Sequence, residues 1–114
     1  MPDNPNDRNT PIQAPNCIPP KSRAIGNNRT RITWINPGGQ IKKVVITTGP
    51  DPEKYFTDLG QDPQNRHYQM DFSGGAPADS TWTYAICCEG DCANIESDSL
   101  KQGGFDPELT NGQG

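Results

Sequence analysis

A small all-β domain, an antiparallel β-sandwich with one short helix and a disordered N-terminal tail, is predicted by three features of the sequence. Apolar and polar residues alternate over several short stretches, the pattern of half-buried strands. Gly- and Pro-rich clusters such as Asn36-Pro-Gly-Gly39 and Ser73-Gly-Gly-Ala-Pro77 separate those stretches. No long helical periodicity runs through the 114 residues, a length that holds one small domain at most.

Composition sets the scale of the core. Leu, Ile, Val and Phe make up about 15 % of the chain, below the ~20 % that usually accompanies a packed interior, but a low value signals disorder only when net charge is high. The net charge is −4, so a thin, folded core is expected. Residues 1–28 read as a flexible tail, because six prolines (Pro2, Pro5, Pro11, Pro15, Pro19, Pro20) and several Asn offer little burial to offset the entropy of ordering. Cys17-Ile18 is the one pair there able to dock. The sandwich is expected over residues 29–110, and residues 111–114 as a flexible C-terminus.

Within the sandwich, residues 30–35 alternate with Ile32 and Trp34 on one face, a first strand. Residues 41–48 are β-branched and rich in Thr, a second strand that turns Val44 and Ile46 inward. Asp51 then suits an N-cap, Pro52 a first helical position and Gly60 a C′ residue. A short helix over 52–59 is expected, with Phe56 and Leu59 capping one end of the sheet. Residues 66–72 alternate again and turn Tyr68, Met70 and Phe72 inward. A last edge strand is expected within Phe105–Thr110, since Pro107 is tolerated only at an edge or bulge.

The densest signal is a hairpin over 81–96. Trp82, Tyr84, Ile86 and Cys88 alternate with Thr83, Ala85 and Cys87. A two-residue turn at Gly90-Asp91 sets Cys88 opposite Ala93 and Ile86 opposite Ile95, with every apolar residue on one face. That arrangement buries Cys88 and turns Cys87 and Cys92 outward together.

From about residue 30 to 110 this rhythm resembles small bacterial sandwich domains of cupredoxin-like or immunoglobulin-like type. The strand ending in Trp34, the mid-chain helical plug, the Trp82-Thr-Tyr84 strand and Phe105-Asp-Pro-Glu-Leu109 carry the likeness. The resemblance implies the fold alone. A copper site of that kind needs two His, a Cys and usually a Met, whereas this chain has the single histidine His67.

The chemically expressive residues are Cys17, Cys87, Cys88 and Cys92, and three readings of them stand open. In the first they form disulfides: Cys87 and Cys92 share a face, and Cys17 bridged to any of the others would close a loop worth about 4–5 kcal/mol in the chain-entropy model. Such bridges persist in an oxidising compartment. In the second they hold a metal, since Cys88-x₃-Cys92 has the spacing of half a structural zinc site, although Cys17 with Cys87 is not the usual second pair. In the third they are inert thiols, Cys88 being a small buried hydrophobe.

Other candidates are weaker. His67 and Asp71 share an outward face without a placed nucleophile, so they do not make a triad. The acidic residues Asp58, Asp62, Asp79, Asp91, Asp98 and Asp106 lack calcium-loop spacing, and no Gly-rich loop leads into a Lys-bearing helix. Asn28-Arg-Thr30 is a formal glycosylation sequon, a triplet common by chance. Basic residues are scattered, the densest group being Arg29, Arg31, Lys42 and Lys43, which argues against nucleic acid as a partner. No apolar run has the length of a membrane span, and Met1-Pro-Asp-Asn-Pro carries no signal-peptide core. A cytosolic start and a processed chain both remain open. With no catalytic constellation, no metal site and no cofactor motif, a non-enzymatic binding module recognising protein or small ligand through its loops is expected. The alternative is a small metal-binding or thiol-redox protein built on Cys87, Cys88 and Cys92.

Overall fold

The computed structural model describes residues 8–93 and 106–112. Among them the chain forms a two-sheet, all-β sandwich of eight strands: β1 (Arg8–Gln13), β2 (Ser22–Ala24), β3 (Thr30–Ile35), β4 (Lys43–Thr48), β5 (Phe56–Gln61), β6 (Tyr68–Phe72), β7 (Thr81–Cys87) and β8 (Glu108–Thr110). A single α-helical turn, α1 (Pro52–Tyr55), precedes β5. One sheet has the order β1-β3-β6-β5 and the other β2-β8-β7-β4. Each follows one pattern: the N-terminal strand adds in parallel (β1 to β3, β2 to β8), and the remaining pairs are antiparallel.

The alternation places the core as expected. Ile32, Trp34, Val44, Tyr68, Met70, Phe72, Trp82, Tyr84 and Ile86 are buried between the sheets, and Ile46 packs against them half-buried. Trp82 lies at the centre of an aromatic group, edge-to-face with Tyr55, Phe56 and Phe72. Such pairs add about 0.5–1.5 kcal/mol each beyond the area they bury. The Trp82 indole N–H donates to the Pro50 carbonyl at 2.8 Å.

Several expectations are corrected. Residues 8–28, expected as tail, are built into both sheets. Pro11 does not prevent this, because β1 is an edge strand. Ala14 N–H donates to the Ile35 carbonyl, so even-numbered residues aim their backbone at β3 and Pro11 falls on the open side, where a missing N–H costs nothing. Ile12 and Ala14 supply the inward face. Residues 1–7 of the expected tail lie outside the described residues. At the other end Asn111 is buried and hydrogen-bonded rather than part of a loose terminus.

The expected helix over 52–59 stops after one turn. Phe56 begins a strand paired to β6, and Asp51 sits at φ 40° with no side-chain cap. Leu59 is the extra residue of a bulge between Asp58 and Gly60 and is 42 % exposed, so it does not cap the sandwich; Phe56 does. Gly60, at φ +84°, serves that bulge rather than a helix C-terminus.

β8 is also not an edge strand. It lies between β2 and β7, with Pro107 just ahead of it and its carbonyl accepting from Tyr84 N–H. Finally, β7 pairs with β4 and β8, and residues 91–93 form no return strand. The rest of that expected partner, from residue 94, lies outside the described residues.

Candidate functional site

The C-terminal end of β7 is where the cysteines act. Strand geometry sends successive side chains to opposite faces. Cys88 accordingly joins the main core, while Cys87 lies outside with Ala85, Val45 and Cys92. Two disulfides follow, Cys17–Cys88 (Cα–Cα 6.1 Å) and Cys87–Cys92 (Cα–Cα 5.8 Å), and no cysteine is free. Both Cα separations lie in the range that admits a bridge. The facing expected for all three clustered cysteines is thus observed. Cys88 is not a free thiol, however, but the partner of Cys17.

Cys17 reaches Cys88 through an unusual backbone. Pro15–Cys17 forms a tight turn in which Asn16 (φ 57°) and Cys17 (φ 65°) are both left-handed. That conformation costs roughly 1–2 kcal/mol per residue bearing a Cβ, and Asn tolerates it better than most. The turn is held by Cys17 N–H donating to the Ala14 carbonyl at 3.0 Å and Ile18 N–H to the Pro15 carbonyl at 3.1 Å. It carries the chain from one sheet to the other, and the disulfide anchors it to β7.

Beside this anchor opens a cleft of about 440 Å³, lined by Asn16, Cys17, Asn36, Pro37, Gly38, Gly39, Cys88 and Glu89. Its far wall is the β3–β4 turn. Gly39 N–H donates to the Asn36 carbonyl, and the Asn36 side-chain amide donates to the Gln40 carbonyl at 3.2 Å. A Cβ at Gly39 would sit 2.8 Å from that amide nitrogen, so a larger residue there would push the Asn36 side chain aside. The polar side chains of the cleft are two amides and one carboxylate, with no Lys or Arg among them. Nearby Lys42 is turned aside, its ammonium donating to the Gly90 carbonyl. Such a lining suits a hydrogen-bonding ligand that is neutral or cationic and disfavours an anion.

A second polar cluster closes the side of the sandwich where β4 and β5 lie together. The Tyr68 hydroxyl donates to Asp58 Oδ1 at 2.6 Å, and Lys43 Nζ donates to Asp58 Oδ2 at 3.2 Å. Burial pushes the Asp58 carboxyl up, but the hydrogen bonds from Tyr68 and Lys43 outweigh it and hold the group below its ordinary value. Burial, and then the bond to Asp58, push the Tyr68 phenol up to about 12. The bond to Asp58 raises the Lys43 ammonium despite some burial. All three shifts favour the ion pair and the neutral phenol, the state that locks one sheet to the other. Gln61 adds a bond from its amide to the Ile41 carbonyl at 3.0 Å. This is a structural clasp.

The other candidates are not brought together. His67 is half-buried ahead of β6, and its carbonyl accepts from Asp62 N–H. Asp71 is ion-paired with Arg31 at 2.8 Å. Among the described residues no three His, Cys, Asp or Glu side chains gather to hold a metal, and no helix is long and apolar enough to cross a membrane. Asn16, Asn36 and Glu89 were not singled out by sequence. The one available signal was the Asn36-Pro-Gly-Gly39 turn cluster, which marks a loop and not what faces it.

Comparison with family models, with curated proteins and with solved structures finds no match for this chain in any of the three.

Proposed function

We propose that this chain is a non-enzymatic β-sandwich binding module, of cupredoxin-like or immunoglobulin-like architecture, that recognises a polar, non-anionic ligand at the loop end framed by Cys17–Cys88. The observation that carries this reading is the cleft itself. Its walls are a left-handed turn tied down by a disulfide and a glycine turn closed by Asn36. Backbone strain that is over-determined by its surroundings is typical of places where a fold presents a surface, and a pre-ordered cleft spares a ligand the cost of ordering loops. The amides of Asn16 and Asn36 offer both donors and acceptors, and Glu89 supplies the one charge.

The alternative, metal or thiol chemistry at Cys87, Cys88 and Cys92, draws less support. Metal ligation needs thiolates, and the three sulfurs are committed to bridges on opposite faces of β7. It would operate only in a reduced form of the protein.

Amide chemical-shift mapping tests the proposal, using panels of neutral oligosaccharides, amine-bearing peptides and acidic peptides. Shifts gathered on residues 16–17, 36–39 and 88–89 with the first or second panel, weakened by Glu89→Lys, are expected. Binding that maps to the outer sheet faces, or that strengthens with acidic peptides, would overturn it.

A further inference from the structure

The chain contains one Asn-Gly dipeptide, Asn111-Gly112, and the structure treats it unusually. The Asn111 side chain is buried, at 7 % exposure, and fully engaged. Its Oδ1 accepts from Ser80 N–H at 3.0 Å, while its Nδ2 donates to the Pro77 carbonyl at 2.7 Å and reaches the Ala76 carbonyl at 3.4 Å. The backbone on both sides is held as well: Asn111 N–H donates to the Ser80 carbonyl, and the Gly112 carbonyl accepts from Gly26 N–H. Asn111 is thus the peg on which the loop before β7 hangs.

Asn-Gly is also the dipeptide most open to intramolecular attack, since glycine presents no Cβ to shield its nitrogen. The Gly112 nitrogen attacks Asn111 Cγ and forms a C–N bond. The side-chain nitrogen departs as ammonia, taking the proton that Gly112 loses, and a succinimide remains. Water then adds across one of the two imide C–N bonds, giving aspartate or isoaspartate. The net change is amide plus water to acid plus ammonia.

We propose that Asn111-Gly112 is a conformation-gated deamidation site, silent in the folded protein and reactive whenever this end of the sandwich opens. In the fold, cyclisation would require breaking the three side-chain hydrogen bonds and rotating a peptide pinned at each flank. In the unfolded chain nothing opposes it. The product cannot return to the native arrangement. An aspartate would aim an oxygen with no proton at the Pro77 and Ala76 carbonyls, and an unpaired buried charge is costly. An isoaspartate would also lengthen the backbone directly after β8. Time spent unfolded is thereby written into the chain as a lasting lesion.

The test incubates the native protein and the denaturant-unfolded protein side by side in mildly alkaline buffer. Peptide mapping follows Asn111 to its Asp and isoAsp forms. Conversion slower in the native protein by a factor on the order of 10² or more is expected, because only the opened fraction reacts. Comparable rates in the two samples would overturn the proposal. Gly112→Ala provides the control: its Cβ meets open space, so the variant should fold normally and, unfolded, convert several-fold more slowly than the parent. Equal rates in the unfolded state would show that Gly112 is not the gate. For the effect on the fold, Asn111→Asp should lower the denaturation midpoint and Gly112→Ala should leave it unchanged. Equal midpoints for the two variants would refute the docking role of Asn111.

Discussion

Cys87 and Cys88 are neighbours in the chain and are oxidised on opposite faces of β7, Cys87 to Cys92 outside and Cys88 to Cys17 on the core side. One peptide bond therefore joins two bridges of very different reach. Cys17–Cys88 spans 71 residues and Cys87–Cys92 spans 5.

In the chain-entropy model those spans are worth about 4 and about 2 kcal/mol respectively. Replacing Cys17 and Cys88 together by Ser should lower unfolding free energy about twice as much as replacing Cys87 and Cys92, as read from denaturant melts. Equal losses would mean that the long bridge does not act through the unfolded chain. Because Cys92 is only half-buried while Cys17 and Cys88 are each 7 % exposed, the short bridge should also be the first reduced, as mass spectrometry of alkylated intermediates would show.

The same substitution should have different meanings at two buried tyrosines. Tyr68→Phe deletes the 2.6 Å bond to Asp58 and leaves a partly buried carboxylate short of a donor, a loss of about 1–2 kcal/mol. The Tyr84 hydroxyl is buried near the Trp34 indole N–H, and among the described residues neither makes a well-formed hydrogen bond, so Tyr84→Phe removes a poorly satisfied group and should be close to neutral. Thermal melts of the two variants against the parent decide the matter, and a larger loss at Tyr84 would be the contrary result.

Stability should fall at both ends of the pH scale, for reasons that can be assigned. The Asp58 carboxyl is held below its ordinary 3.8, so it contributes stability above that value, lost as pH drops through its folded pKa. Tyr68 and Tyr84 are raised from 10.0 to about 12 and Lys43 is raised above 10.5. Their contribution is complete below 10 and is lost as pH climbs toward 12. Asp58→Asn should flatten the acid limb only slightly, by up to about 1 kcal/mol, since the pair with Lys43 is nearly half exposed. Ultraviolet titration should show two phenols resisting ionisation until about pH 12 in the folded protein. Ionisation of both near 10 would contradict their burial.

Gly49 is a turn residue that no side chain can easily replace. It lies at φ +122°, and a Cβ there would meet Trp82 Cδ1 and the Thr81 carbonyl well inside contact distance. Gly38, at φ +76°, faces open space. Gly49→Ala should cost on the order of the 3–5 kcal/mol of a large core truncation such as Trp82→Ala. Gly38→Ala should cost only the backbone penalty of about 1–2 kcal/mol. Similar melting temperatures for the two glycine variants would show that the Pro50–Trp82 contact yields easily.

The strands with strict alternation were legible because one face of each packs on a dry interior: Trp34 and Tyr68 directly opposite each other across β3 and β6, Ile46 opposite Tyr84 across β4 and β7. β1 was not legible, since an edge strand added in parallel needs only Ile12 and Ala14 to face the core and tolerates Pro11. The segment from Phe56 was misread because Tyr55, Phe56 and Leu59 fall at helical spacing, while the bulge that explains Leu59 depends on pairing with β6, a contact distant in sequence. The candidate cleft was the least legible part. Asn16 and Asn36 lie on loops that meet because β1 pairs in parallel with β3, setting Gln13 beside Ile35, while Glu89 joins them through Cys17–Cys88, a partnership that spacing left open among three choices.

The two bridges joined at β7 also define how the molecule bears tension. A pull on the chain ends enters at Cys17, crosses to Cys88, steps back one peptide bond to Cys87 and crosses again to Cys92. The backbone of residues 18–86 and 89–91 lies off that covalent route. Among the described strands, β1 and β8 lie outside the bridges and are peeled from their neighbours, so the aromatic centre around Trp82 feels the pull not along its own backbone but sideways, through the pairing of Trp82 with Leu109.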